Sequence, residues 1–210
     1  MKNSWNDITV GDLVRIRSIG ELQKATDDEK NLRCAALVAG IPYEELLQIP
    51  LEDVRKYMDA TEFLLHEPEK CRVKRHYFIN GRKYVLHKDA SDITVAQYID
   101  YQAILPDGFS KMPGETLALM LVPAGHEYND GYDKEQAISD MYDLSVPEAL
   151  GIVDFFTRRC LRLMRLAMTA SRVKVRLLRM RAPKDQKEMY RALELQLKLL
   201  EESFTSGWTA

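Results

Sequence analysis

From Glu148 to Met180 the chain contains no proline and a single glycine, Gly151. A stretch of that length without a breaker predicts one long helix over about 146–180. Arg181, Ala182 and Pro183 end it. The segment DQKEMYRALELQLKLLEESF that follows places Met189, Leu193, Leu197 and Leu200 in helical register. It predicts a final amphipathic helix that could turn back on the long one as a hairpin.

The long helix carries the sharpest pattern in the sequence. Arg158, Arg162, Arg165, Arg172, Arg176 and Arg179 step by 4, 3, 7, 4 and 3 residues, with Thr169 at the skipped position. Those steps keep one side of a helix, so the arginines form a stripe roughly 32 Å long at 1.5 Å per residue. Phe156, Leu163, Leu166, Ala167, Ala170, Val173 and Leu177 cover much of the remaining circumference. Such a stripe is either a solvated face packed beside an acidic body or the final helix, or a surface for a partner. The partner classes are an acidic protein, nucleic acid and, last, a membrane surface. Arginine suits bidentate contact with carboxylate or phosphate. Nucleic acid is disfavoured because no aromatics interleave the arginines and the rest of the chain is acidic.

That acidity is hidden in a net charge of −2. Residues 1–154 carry 17 Lys/Arg against 27 Asp/Glu; residues 155–181 carry nine basic residues and no acid; residues 182–210 carry four basic and five acidic ones. An acidic body and a basic segment share one chain, which bears on partners rather than on fold.

The body is punctuated by one device. Asp-Ile-Thr-Val occurs at 7–10 and 92–95, and Asp-Leu-Ser-Val at 143–146. In each copy the hydroxyl residue (Thr9, Thr94, Ser145) is placed to cap a helix, with Asp12, Gln97 and Glu148 three residues on as reciprocal partners. Ile8 and Leu13, Ile93 and Tyr98, and Leu144 and Ala149 stand at staple positions. Asp27 or Asp28 starts a helix ending at Ala39, stopped by Gly40. YEELLQ gives a short turn, and LEDVRKYMDATEFLL a helix with Leu51, Val54, Met58, Phe63 and Leu65 as its apolar positions. Asn80-Gly81 between RVKRHYFI and RKYVLHK predicts a β-hairpin over about 72–88, with Tyr77 opposite Tyr84 and Phe78 opposite Lys83. GETLALMLVPAG reads as a buried helix, less readily as a strand. HEYNDGYDKE reads as a flexible polar loop, and 134–142 as a short helix. The sum is an α+β, predominantly helical protein. A mixed body over 1–145 joins an arginine-striped helical part over 146–210, either as a separate part or as one continuous domain.

Chemistry is hard to find in these residues. His66, His76, His87 and His126 lack metal-ligand spacing, and no nucleophile elbow, phosphate loop or dinucleotide fingerprint is present. The Asp/Gly-rich YNDGYDKE lacks the ligand spacing of a calcium loop. No catalytic, cofactor-binding or metal residues are assigned. Cys34, Cys71 and Cys160 are odd in number and far apart, as in a reducing compartment. No membrane span and no secretory apolar core is expected.

WNDITV, LRCAALVAGIPYEELLQIPLEDV, HYFINGRKYVLHKDASDITVAQYIDYQAI, LALMLVPAGHEY and LSVPEALGIVDFF follow one another in an order that resembles a tail-assembly-chaperone-like family of tailed bacteriophages and prophages of gut bacteria, over about 5–156. The resemblance implies a non-catalytic viral protein of virion assembly, acting through protein–protein interaction. It would bind a helical tape-measure-like tail protein in the cytoplasm of the infected bacterium, as a single chain or a homo-oligomer. Two other expectations stand beside it. One is a structural virion component, such as a connector or tail-completion protein, whose stripe meets DNA or an acidic neighbour. The other is a nucleic-acid-binding regulator.

Overall fold

A computed structural model describes the backbone of residues 1–86, 94–104, 107–183 and 186–206, with the side chains of all but 95, 98, 102, 160, 161, 163–168 and 200–206. Helices dominate, and a small antiparallel sheet accompanies them, as an α+β reading requires. The chain divides into two compact units, Met1–Phe155 and Phe156–Ala210.

The first unit begins with a 3-10 turn, Trp5–Asp7, and helix α1, Val10–Gly20. Thr9 Oγ1 accepts from the Asp12 N–H at 3.2 Å, while the Asp12 carboxylate accepts from the Thr9 N–H at 3.0 Å, closing the predicted capping box. Lys2 also pairs with Asp12. Burial pushes the Asp12 carboxyl up, but the bonds from Lys2 and Thr9 outweigh it and hold the group below its ordinary range. Helix α2, Asp27–Ala39, is capped by Thr26 and stopped by Gly40, whose φ of 74° is left-handed. The short α3, Tyr43–Leu46, and α4, Leu51–Asp59, follow. Ala35, Ala36 and Leu46 form a core cluster with Tyr57 and Met58 around it. The expected LEDVRKYMDATEFLL helix is thus cut short. It ends at Asp59, a separate 3-10 turn covers Glu62–Leu65, and Leu51 and Leu65 are 87% and 84% exposed.

Strands β1, His76–Ile79, and β2, Arg82–Leu86, form the predicted hairpin, with Tyr77 facing Tyr84 and Phe78 facing Lys83. Asn80 and Gly81 have φ of 50° and 75°, both in the left-handed region that such a two-residue turn demands. His76 lies on the exposed face of β1, and His87 falls outside the described residues. Helix α5, Val95–Ile104, receives the second cap: the Gln97 N–H donates to Thr94 Oγ1 at 3.1 Å. The expected reciprocal bond is replaced. The buried Gln97 amide donates instead to the Leu119 carbonyl. Ile93 of that staple lies outside the described residues, as does the Tyr98 side chain.

Helix α6, Gly108–Lys111, leads to α7, Pro113–Met120, and the sequence reading is corrected at its end. The last three residues of LALMLVP are strand β3, Leu121–Pro123, antiparallel to β2 with Val85 opposite Val122. The sheet order is β1-β2-β3. The polar stretch after it is anchored rather than loose: Tyr128 is buried, and its hydroxyl donates to Asp100 at 2.6 Å. Helix α8, Lys134–Met141, is capped by Asp133. Helix α9, Val146–Arg181, starts in the first unit after Ser145, whose hydroxyl donates to the Glu148 carboxylate at 3.1 Å, a contact between the two side chains rather than a bond to the helix backbone.

A strap over 70–75 crosses the first turns of α9. The Cys71 N–H donates to the Pro147 carbonyl at 3.1 Å, and Lys70–Asp154 and Lys74–Glu148 pairs lie at 2.9 and 2.6 Å. Gly151 permits the crossing, since a Cβ there would overlap the Cys71 carbonyl oxygen.

Candidate functional site

Two places concentrate charge. One is Asp140 on α8, 1% exposed. Its carboxylate accepts from Tyr84 Oη at 2.5 Å, Arg82 and Gln136 at 3.0 Å each, and Asn80 at 3.1 Å. Asn80 also donates to Asp143 at 2.8 Å. Burial pushes the Asp140 carboxyl up, but the bonds from Tyr84, Asn80, Gln136 and the Arg82 charge hold it below the ordinary range. Burial and the Asp140 bond push the Tyr84 hydroxyl well above its usual range. Four donors from β1–β2 and α8 converge on this one carboxylate. This cluster fastens the hairpin turn to α8 and is structural. The sequence reading missed it, because Asn80 and Asp140 are 60 residues apart.

The other place is the second unit, residues 156–210, which carries thirteen Lys/Arg against five Asp/Glu. The unit boundary therefore coincides with the change of charge sign. Within it, α9 runs to Arg181 and α10 covers Lys187–Ser206. Arg179 donates to Glu194 at 2.7 Å, a contact between helices that only a reversal of the chain allows, since 15 residues of straight helix would span about 22 Å. The hairpin expectation is met in this contact. Arg172, Val175 and Arg179 on α9 are half-buried, as are Tyr190, Glu194 and Leu197 on α10. The inward side of α10 is therefore Tyr190, Glu194 and Leu197, whereas Met189 and Leu193, expected there from the apolar register, are exposed.

The six predicted arginines occupy a sector of about 100° on α9. Arg158, Arg162 and Arg176 are exposed, Arg172 and Arg179 lie on the half-buried side, and the side chain of Arg165 is outside the described residues. Beside them stands an apolar row, of which the sequence reading placed Val173 and Leu177 on the remaining circumference. Val173, Leu177 and Met180 are 53%, 48% and 62% exposed. With Arg176 they form an i, i+3, i+4, i+7 row over the last two turns, about 10 Å long. On α10, Leu195 and Leu199 are also more than half exposed.

Among the described residues no group of three His, Cys, Asp or Glu side chains is placed to hold a metal ion. Among the same residues, no helix is long and apolar enough to cross a membrane. Comparison with protein-family models, with curated proteins and with solved structures finds no match to this chain.

Proposed function

We propose that this is a non-catalytic phage assembly protein, a tail assembly chaperone that binds a helical, tape-measure-like partner. The supporting observation is the exposed row Val173, Arg176, Leu177 and Met180 on α9. A long helical client with apolar faces would aggregate alone. A surface of spaced apolar anchors covers such faces, and neighbouring arginines orient the client by its carboxylates. The order of segments that resembles phage tail assembly chaperones supports the same reading independently of the row.

Co-expression with the tape-measure protein of the same phage tests it. The chaperone raises the soluble fraction of the client and co-purifies with it; no change in solubility and no co-purification refute the reading. Mass spectrometry of purified virions separates the structural alternative, in which the arginines Arg158, Arg162 and Arg176 face DNA or an acidic neighbour. A transient chaperone is missing from particles, and a connector is present in stoichiometric amount.

A further inference from the structure

The hairpin of the first unit carries charge of the opposite sign to its surroundings. Residues 70–88 hold seven Lys/Arg, two His and no Asp or Glu, whereas residues 1–154 as a whole carry 17 basic and 27 acidic residues. Three of the seven are engaged within the fold: Lys70, Lys74 and Arg82 pair with Asp154, Glu148 and Asp140. Lys88 lies outside the described residues. Arg72, Arg75 and Lys83 are exposed, and none of them has a carboxylate partner among the described residues.

Side chains of cross-strand partners share a face of the sheet. Tyr77 and Tyr84, both buried, mark the inner face, so Phe78 and Lys83 stand opposite each other on the outer one. Phe78 is 76% exposed. Cations alone would have a plain explanation, because charge on an edge strand such as β1 blunts pairing with other sheets. An exposed phenylalanine on the same strand works against that purpose. A ring held open on a sheet, with three unpaired cations in the same segment, fits a ligand that offers planar π-faces and negative charge along one chain.

We propose that this hairpin face binds single-stranded RNA, with a base stacked on Phe78 and phosphates held by Arg72, Arg75 and Lys83.

In a duplex the base faces are stacked on one another and closed to a side chain, so the bound strand is unpaired. Loops, bulges and ends with splayed bases are where RNA offers such faces. An acidic peptide would meet the cations but give the ring no planar partner. The hairpin belongs to the first unit and the α9 row to the second, and the proposal stands whether or not a tape-measure client binds that row.

Fluorescence anisotropy of the full chain with a labelled oligouridylate provides the test. Three phosphate contacts to a single strand predict that log Kd rises with log salt at a slope of about 2, or about 20-fold between about 50 and 200 mM. Phe78→Ala weakens binding about fivefold to a hundredfold, the range for one lost stacking contact, and leaves the salt slope unchanged. Phe78→Trp retains binding. Lys83→Gln lowers the slope by about 0.7. R162E/R176E, on α9, binds as the wild type does. Far-UV circular dichroism and thermal melts check that each variant is folded. If Phe78→Ala is not, Phe78→Thr replaces it, since threonine removes the ring and keeps the preference for a strand. No binding at about 50 mM salt and about 0.1 mM protein overturns the proposal. So does Phe78→Ala binding like the wild type, or a loss of binding in R162E/R176E. Oligoglutamate or duplex RNA competing as well as unlabelled oligouridylate, or single-stranded DNA competing better than it, overturns it too.

Discussion

Thr9 and Ser145 face each other across an antiparallel bridge. Thr9 caps α1 and Ser145 directly precedes α9, and they come from two copies of the same short sequence pattern. The Val10 N–H donates to the Leu144 carbonyl at 2.9 Å, and the Val146 N–H to the Ile8 carbonyl at 2.9 Å. Ile8 and Val146 are buried together with Val38. The recurring tetrapeptide is therefore more than punctuation. The first two copies satisfy a helix start through the side chain, and the first and third satisfy each other through the backbone.

The caps and the bridge are separable by substitution. Thr9→Ala and Thr94→Ala remove the capping hydroxyls, that of Thr9 also a donor to Asp12, and cost about 1 kcal/mol each in urea unfolding, with partner binding unchanged. A loss of binding at unchanged stability would make the caps part of a functional site.

Val10→Pro tests the bridge itself. Proline is tolerated at the first position of a helix, and Thr9, at φ −84° and ψ 165°, already has the extended backbone that precedes it. The substitution still removes the N–H that Leu144 accepts. Against Val10→Ala as control, Val10→Pro loses a further 1–3 kcal/mol, on the order of an unsatisfied buried carbonyl. Equal stability of the two variants would mean that the bridge contributes nothing.

Asp140 predicts an acid limb. Its folded carboxyl titrates below the unfolded one, so its contribution to stability is fully present above the unfolded value of about 4 and is lost as pH falls through the folded value. Asp140→Asn is less stable at neutral pH by about 2–4 kcal/mol, because Arg82 and Tyr84 lose a charged acceptor. Its stability also falls less steeply between about pH 4 and pH 2. An unchanged acid slope would place the titrating group elsewhere, with Asp12 and Asp100, also held low, as the next candidates.

Gly151→Ala has an unusual sign. In an exposed helix interior this change stabilises by up to about 1 kcal/mol. Here the added methyl meets the Cys71 backbone, so it destabilises by about 1–3 kcal/mol, read as a lower urea midpoint. A higher midpoint would mean that the strap over 70–75 yields freely.

Local signals were legible in the sequence where one residue's backbone decides the outcome. Asn80 and Gly81 fixed the hairpin and its register, Gly40 ended α2, and Thr9 began α1. Pairings between distant segments were not. Leu121–Pro123 turns from helix to strand because the open edge of β2 accepts it, with Leu86 opposite Leu121. Nothing within LALMLVP reports that edge. Periodicity also misjudged which apolar residues are buried. Leu51 and Leu65 fall on helical spacing yet lie at the two ends of a broken helix, where no neighbour covers them. The arginines of the candidate site were legible as a stripe. The exposure of Val173, Leu177 and Met180 beside them was not, because spacing alone does not distinguish a face buried in its own chain from one left for another.

Hydrogen–deuterium exchange across the purified complex reads out whether the α9 row receives a helical partner. Amides over 173–180 gain protection when the tape-measure partner binds, and Val173→Asp/Leu177→Asp abolishes both the gain and the complex while leaving the melting of the first unit unchanged. Protection that appears elsewhere while 173–180 exchange as in the free protein would contradict the account.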